Sequence, residues 1–202
     1  MTPLHNIAVL ISGNGSNLQA FIDAIAEGRL AAKITVVISN NPGAFGLERA
    51  HRAQIPTVVI DHHHYPRRVD FDQALLLTLQ RFNAELIVLA GFMRILGETI
   101  IEHFPQRIIN IHPSLLPKYP GLNTHQRALD AGDKNHGVTI HLVTSNLDAG
   151  PILAQQSFTI DAEDDANTLR EKAHKIEHQL YPDVVAKITS GEIKNLPKSN
   201  DT

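Results

Sequence analysis

The chain has 202 residues, 43% of them hydrophobic and 19% charged, a balance that excludes an intrinsically disordered or low-complexity scaffold. Its 18 basic and 21 acidic residues leave a net charge of −3, and no Lys/Arg-rich run could track a polyphosphate backbone, so nucleic acid is not an expected partner. Zero cysteines exclude disulfides, thiolate metal sites and cysteine nucleophiles.

No linker-like stretch or charge block divides the sequence, and one domain over 1–202 is expected, with a phosphate-binding half to about residue 100 and a catalytic half from about 101. The longest apolar stretch, Leu86 to Met93, is too short to span a bilayer. The first residues lack the basic lead of a secretory signal, so a cytoplasmic location and no membrane partner are expected.

Asn6 to Ile11 is a continuous apolar run, the pattern of a strand buried on both faces of a parallel sheet. A turn at Ser12 to Asn17 follows, then Leu18, Phe21, Ile22 and Ile25 recur at helical spacing until Gly28. Ile34 to Ile38 completes a βαβ unit. The rhythm repeats: helix from Phe45 to Ala53, strand from Thr57 to Ile60, helix from Val69 to Phe82, strand from Leu86 to Ala90. Beyond Gly97 a short helix reaches Phe104, Ile108 to Ile111 is a strand, and a loop carries Pro113, Pro117 and Pro120. His125 to Ala131 can form a helix. Gly137 to Val143 and Ile152 to Thr159 are strands close enough in sequence to pair antiparallel. The last helix runs from Asn167 to about Ile188 behind an acidic lead, Asp161 to Asp165, that suits the positive end of its dipole. The expected fold is α/β, a Rossmann-like, mostly parallel mixed sheet with helices on both faces and an antiparallel C-terminal strand pair.

The loop Ser12-Gly13-Asn14-Gly15-Ser16-Asn17 sits where a strand feeds a helix, so unpaired backbone N–H groups converge there and a monophosphate would fit. It lacks the Gly-Lys-Ser/Thr of a P-loop. It also lacks the third glycine and distal acid of a dinucleotide site, having Leu18 and Ser39-Asn40-Asn41 in those places. A tight turn that binds nothing is the alternative. Asn110 and His112 lie two residues apart at a strand end and so share a face, where an amide donor beside an imidazole can stabilise an acyl oxyanion and exchange a proton. The same pair could instead satisfy the backbone of the proline loop. Asp148, in Asn146-Leu147-Asp148-Ala149-Gly150-Pro151, is by itself an ordinary turn former.

Two histidine patterns suggest metal. His174-Lys175-Ile176-Glu177-His178 matches the H-x-x-E-H of inverted zinc peptidases, but little sequence follows to supply a third ligand. Neighbouring side chains in His62-His63-His64 diverge, which favours a solvated loop. No metal is expected.

Across nearly its whole length the chain resembles the folate-dependent formyltransferases, most closely the branch that acts on glycinamide ribonucleotide in purine biosynthesis. The resemblance rests on VLISGNGSNLQA (Val9 to Ala20), AFGLERA (Ala44 to Ala50), VLAGFMRIL (Val88 to Leu96), NIHPSLLPKYPGL (Asn110 to Leu122) and LDAGPI (Leu147 to Ile152). It implies formyl transfer from 10-formyltetrahydrofolate, as co-substrate, to the glycine amine of glycinamide ribonucleotide, with Asn110, His112 and Asp148 as the catalytic set. It further implies that Gly15, Ser16, Asn17 and the segment His174, Lys175, Ile176, Glu177 hold the ribonucleotide. Arg68, Met93, Arg94, Ile95, Leu96 and Asn110 would contact the formyl-folate, with Thr144, Ser145, Asn146, Leu147 and Asp148 closing over its pterin. Asn123 departs from the histidine that many relatives carry. Asp148 beside His112 is expected to favour the charged ring. Hydrolysis of formyl-folate and a non-catalytic nucleotide-binding module are the rival functions.

Overall fold

A computed structural model describes residues 5–193. The N-terminal residues 1–4, part of the stretch read as lacking a signal, and residues 194–202 of the expected domain span lie outside that description.

Seven strands form one sheet in the order β3-β2-β1-β4-β5-β6-β7. They are β1 (His5–Ile11), β2 (Ala32–Ser39), β3 (Thr57–Val59), β4 (Leu86–Leu89), β5 (Ile108–His112), β6 (Asn135–Leu142) and β7 (Ile152–Thr159). The first five run parallel; β6 is antiparallel to β5 and to β7. The helices are α1 (Ser16–Ala26), α2 (Phe45–Arg52), α3 (Arg68–Arg81), α4 (Glu98–His103), α5 (Thr124–Asp130) and α6 (Ala166–Thr189). The expected α/β architecture is present, and element ends move by one or two residues, where local pattern is weakest.

The apolar run of β1 divides by parity. Ile7, Val9 and Ile11 pack with Leu18 and Phe21 of α1, Ala50 of α2 and Tyr181, Val184 and Val185 of α6. Ala8 and Leu10 face the other core, with Phe71, Leu75 and Leu79 of α3 and Ile100 of α4. Every β1 side chain from Ile7 onward is therefore removed from water, at about 1.5–3 kcal/mol for each large one. In β2 a register shift sets Ile7 opposite Ile34 but Ala8 opposite Val36. The extra residue, Thr35, flips the parity downstream, so Ile34 and Val37 share one core while Val36 and Ile38 share the other.

α6 begins with a capping box in which the Asp165 carboxylate accepts from the Asn167 and Thr168 N–H groups. Its fully buried Tyr181 meets Phe21 edge-on at 5.1 Å and shares its hydroxyl proton between the Leu89 and Ile109 carbonyls, 3.1 Å from each. That bond fixes α6 beneath β4 and β5, one residue from Asn110.

Candidate active site

Strand order reverses between β1 and β4, and open α/β sheets gather ligands beyond the carboxyl ends of strands at such a point. The loops there are tied together: the Ser12 hydroxyl donates to Asn40 Oδ1 and accepts from the Met93 N–H at 2.8 Å.

Beside this knot lies a cavity of about 610 Å³, bordered by Phe92–Leu96, Asn110–Pro113, Gly121–His125, His141 and Val143–Asp148. Asn110 and His112 both border it, as their spacing on β5 requires. The antiparallel register sets His141 opposite Asn110. Asn110 Nδ2 is 3.3 Å from His141 Nε2, and His141 Nδ1 is 2.8 Å from the Leu142 carbonyl. A carbonyl only accepts, so His141 Nδ1 carries a proton toward Leu142, and Nε2 lies between the Asn110 amide and the Asp148 carboxylate. By the same logic His112 Nε2, 2.8 Å from the Tyr119 carbonyl, is a donor, leaving Nδ1 facing Asp148 Oδ2 at 3.4 Å.

Asp148 is held from three sides. Its Oδ2 accepts from the Gly121 N–H at 2.8 Å and its Oδ1 lies 3.6 Å from His141 Nε2. Its backbone takes the left-handed region at φ 49°, which aspartate tolerates. Two residues on, a Cβ at Gly150 would collide with the Leu142 carbonyl, so only glycine lets this loop press against the end of β6. Burial raises the Asp148 carboxyl's pKa, but the His141 ring, the Gly121 N–H and the His112 ring together leave it below its ordinary value.

For His112 the balance differs from the sequence-based expectation. Burial, the largest effect, lowers its pKa; the Tyr119 bond and Asp148 pull upward and do not prevail, so the ring lies below its ordinary value. A spacing argument sees the carboxylate but not the desolvation of a side chain only 6% exposed.

Of the residues assigned to formyl-folate, Met93 to Leu96, Asn110 and Thr144 to Asp148 all border the cavity, and Met93, Ile95 and Leu147 stand exposed at its rim with Leu122. Arg68 does not border it. Its Nη2 donates to the Ile95 carbonyl at 2.8 Å and its Nε is 3.6 Å from the buried Asp72 carboxylate, so it braces the wall segment from behind. His141, Gly121 and His125 were not singled out from the sequence. His141 becomes visible only once the β5–β6 register is known.

Gly15, Ser16 and Asn17 open α1, with Gly15 left-handed at φ 73°. A Cβ there would sit 2.6 Å from Gly46 Cα, so the turn is pressed onto α2. Asn17 Nδ2 donates to Glu177 Oε2 at 2.8 Å, joining α1 to α6. Burial raises the Glu177 pKa, partly offset by that bond. Asn17 Oδ1 and His178 Nε2 are buried without partners. His174 and Ile176 are half-buried while Lys175 is exposed, and helical geometry turns Lys175 away from the face that carries Glu177. None of these residues borders the 610 Å³ cavity. The triplet His62–His64, expected as a solvated loop, forms a 3-10 turn capped by Asp61, with His63 and His64 exposed. Asp61, His62 and His63 form the one convergent group of three metal-ligand types among the described residues. His62 Nδ1 is 3.1 Å from the Asn40 carbonyl and His63 Nδ1 is 2.8 Å from Asp61, so both Nδ1 atoms already have partners.

Residues 5–185 match the formyl transferase family. The chain belongs to that family. It is 43% identical over 189 residues to the phosphoribosylglycinamide formyltransferase of Escherichia coli K12, covering 94% of this chain and 89% of the relative. The Haemophilus influenzae protein of the same name is 45% identical over 191 residues, covering 95% and 90%. Among solved structures, the phosphoribosylglycinamide formyltransferase of Coxiella burnetii aligns with TM-score 0.90 and 51% identity over 94% of this chain and 89% of that one. The sequence segments carrying the formyltransferase resemblance are those around this cavity and the turn before α1. Among the described residues no helix is long and apolar enough to cross a membrane.

Proposed function

We propose that this formyltransferase moves the formyl group of 10-formyltetrahydrofolate to the glycine amine of glycinamide ribonucleotide. The observation that carries the reading is the meeting of Asn110 and His112 with Asp148, which is distant from them in sequence, on the wall of one cavity next to the turn that opens α1. The cavity suits a flat heteroaromatic donor: its size is typical of small-ligand pockets, its rim is apolar, and polar groups cluster on one wall. Gly15, Ser16 and Asn17 offer N–H groups to the acceptor's phosphate, and the partnerless Asn17 Oδ1 beside Glu177 suits a ligand hydroxyl.

When the amine attacks the formyl carbon, the formyl oxygen gains negative charge. The Asn110 amide then donates to that oxygen, and a proton on His112 adds charge stabilisation. His112 Nε2–H is committed to Tyr119, so exchange runs through Nδ1, on the Asp148 side. Asp148, ionised at the start, takes the proton leaving the amine, directly or through water, and gives it up to the departing N10 as the bond between the formyl carbon and N10 breaks, which restores the carboxylate. No step calls on a metal.

Formyl release measured with and without glycinamide ribonucleotide tests the reading. Transfer that depends on the ribonucleotide supports it. Equal release without an acceptor indicates a hydrolase, and ribonucleotide binding without release indicates a nucleotide-binding module.

A further inference from the structure

We propose that Arg49 of α2 is a positioning residue for the acceptor's phosphate, acting through the carbonyl groups of the turn before α1; the inference rests on the function proposed above.

Arg49 is half-buried, and each of its three guanidinium nitrogens donates one hydrogen bond. Nε donates to the Asn14 carbonyl at 2.9 Å, Nη2 to Asn14 Oδ1 at 3.1 Å, and Nη1 to Gln19 Oε1 at 3.3 Å. Phe45, one helical turn earlier on the same face, lies 5.0 Å from the guanidinium carbon and steadies the cation. A second anchor comes from the start of α2, where the Gly46 N–H donates to the Gly13 carbonyl at 3.0 Å.

In a trans peptide the C=O and the following N–H point in opposite directions. Holding the Gly13 and Asn14 carbonyls against α2 therefore turns the Asn14 and Gly15 N–H groups away from α2. Together with the first N–H groups of α1 they form a concave set of donors of the kind that binds phosphate. Without the fork on Asn14 the peptide is free to rotate, and a carbonyl oxygen can replace an N–H facing the anion. The Gly15–Gly46 contact serves the same end, since a side chain at either glycine would push the turn off its template. Arg49 thus acts on the phosphate indirectly, and a lysine, with one ammonium instead of a planar fork, cannot reproduce it.

The test compares Arg49→Lys and Arg49→Met with the wild type, measuring KM for both substrates and kcat, and titrating ribose 5-phosphate as a phosphate probe. Loss of a charge-assisted fork should raise the ribonucleotide KM about tenfold or more in both variants and weaken ribose 5-phosphate binding alike. The formyl-folate KM and kcat should stay within about twofold, because only ground-state phosphate binding is touched. Wild-type constants in Arg49→Lys would overturn the fork in favour of simple charge, unchanged constants in both would remove the role, and parallel loss of both substrates would indicate general damage to the fold. If the wild type transfers no formyl group yet binds ribose 5-phosphate in an Arg49-dependent way, the proposed function fails and the positioning role stands.

Discussion

His112 Nδ1 and Asp148 Oδ2 face each other at 3.4 Å, while His112 Nε2 is held by the Tyr119 carbonyl at 2.8 Å. The imidazole is thereby left one exchangeable nitrogen, and the carboxylate is its neighbour. Burial keeps the free ring below its ordinary pKa, so in the mechanism proposed above the His112 cation forms as charge develops on the formyl oxygen instead of being stored beforehand.

If the two act as a unit, Asp148→Asn should lower kcat sharply with little change in KM. Adding His112→Ala should then cost much less than it does alone, because groups serving one proton are non-additive. Multiplying losses across the double-mutant cycle would assign them separate tasks.

Asn110 is predicted to act mainly on the transition state. Its amide lies 3.3 Å from His141 Nε2, a long contact that a developing oxyanion can replace. Asn110→Ala should lower kcat about a hundredfold or more while both KM values change little. Near-normal turnover would exclude it from the mechanism.

How much of this was legible before folding follows from range. The period of β1 and the helical spacing after Asn17 depend on neighbours in sequence, so α/β order and the shared face of Asn110 and His112 could be read directly. His141 could not, because its place opposite Asn110 comes from strand pairing across the loop and helix between β5 and β6. The bonds of Arg68, a residue assigned to formyl-folate only through the resemblance, could not be read either, since Ile95 and Asp72 meet it only in the folded chain. The His112 pKa failed at the last level, since desolvation belongs to the packed state alone.

The turn before α1 separates two glycines that look alike in sequence. Gly15 needs φ 73° and has Gly46 Cα against it, whereas a Cβ on Gly13 would meet nothing within 4 Å. Gly15→Ala should therefore destabilise the protein by about 1 kcal/mol or more from backbone strain alone and raise the ribonucleotide KM. Gly13→Ala should do neither to a comparable degree. Urea titration and the ribonucleotide KM check both, and equal effects would mean that the close packing on α2 does not govern the turn.

Acid should destabilise the fold through its buried histidines. His125 lines the cavity and is pushed down to about 4, first by burial and then by the nearby His136, His174, Arg170 and His112; His136, His174 and His178 are also lowered, chiefly by burial. His136 donates a ring N–H to the Pro113 carbonyl, so its Nε2 must accept from His125 Nδ1 at 3.0 Å. Protonating that nitrogen would set two N–H groups against each other. For each of these rings the folded pKa lies below the unfolded value near 6.5, so the unfolded chain binds more protons as pH falls. Their stabilisation is complete above about pH 6.5 and declines toward pH 4, where His125 itself becomes charged in the folded state. Glu177 and Asp72, both raised by burial, have the opposite sign, since their contribution is present in acid and is lost as pH rises through their folded values. With five histidines lowered and only two carboxylates raised, the urea midpoint should fall between pH 7 and pH 5. His125→Asn, whose amide can take over the donor position toward His136, should make that decline shallower. A midpoint that holds or rises on acidification would show that the buried carboxylates, and not the histidines beside the cavity, set the pH response.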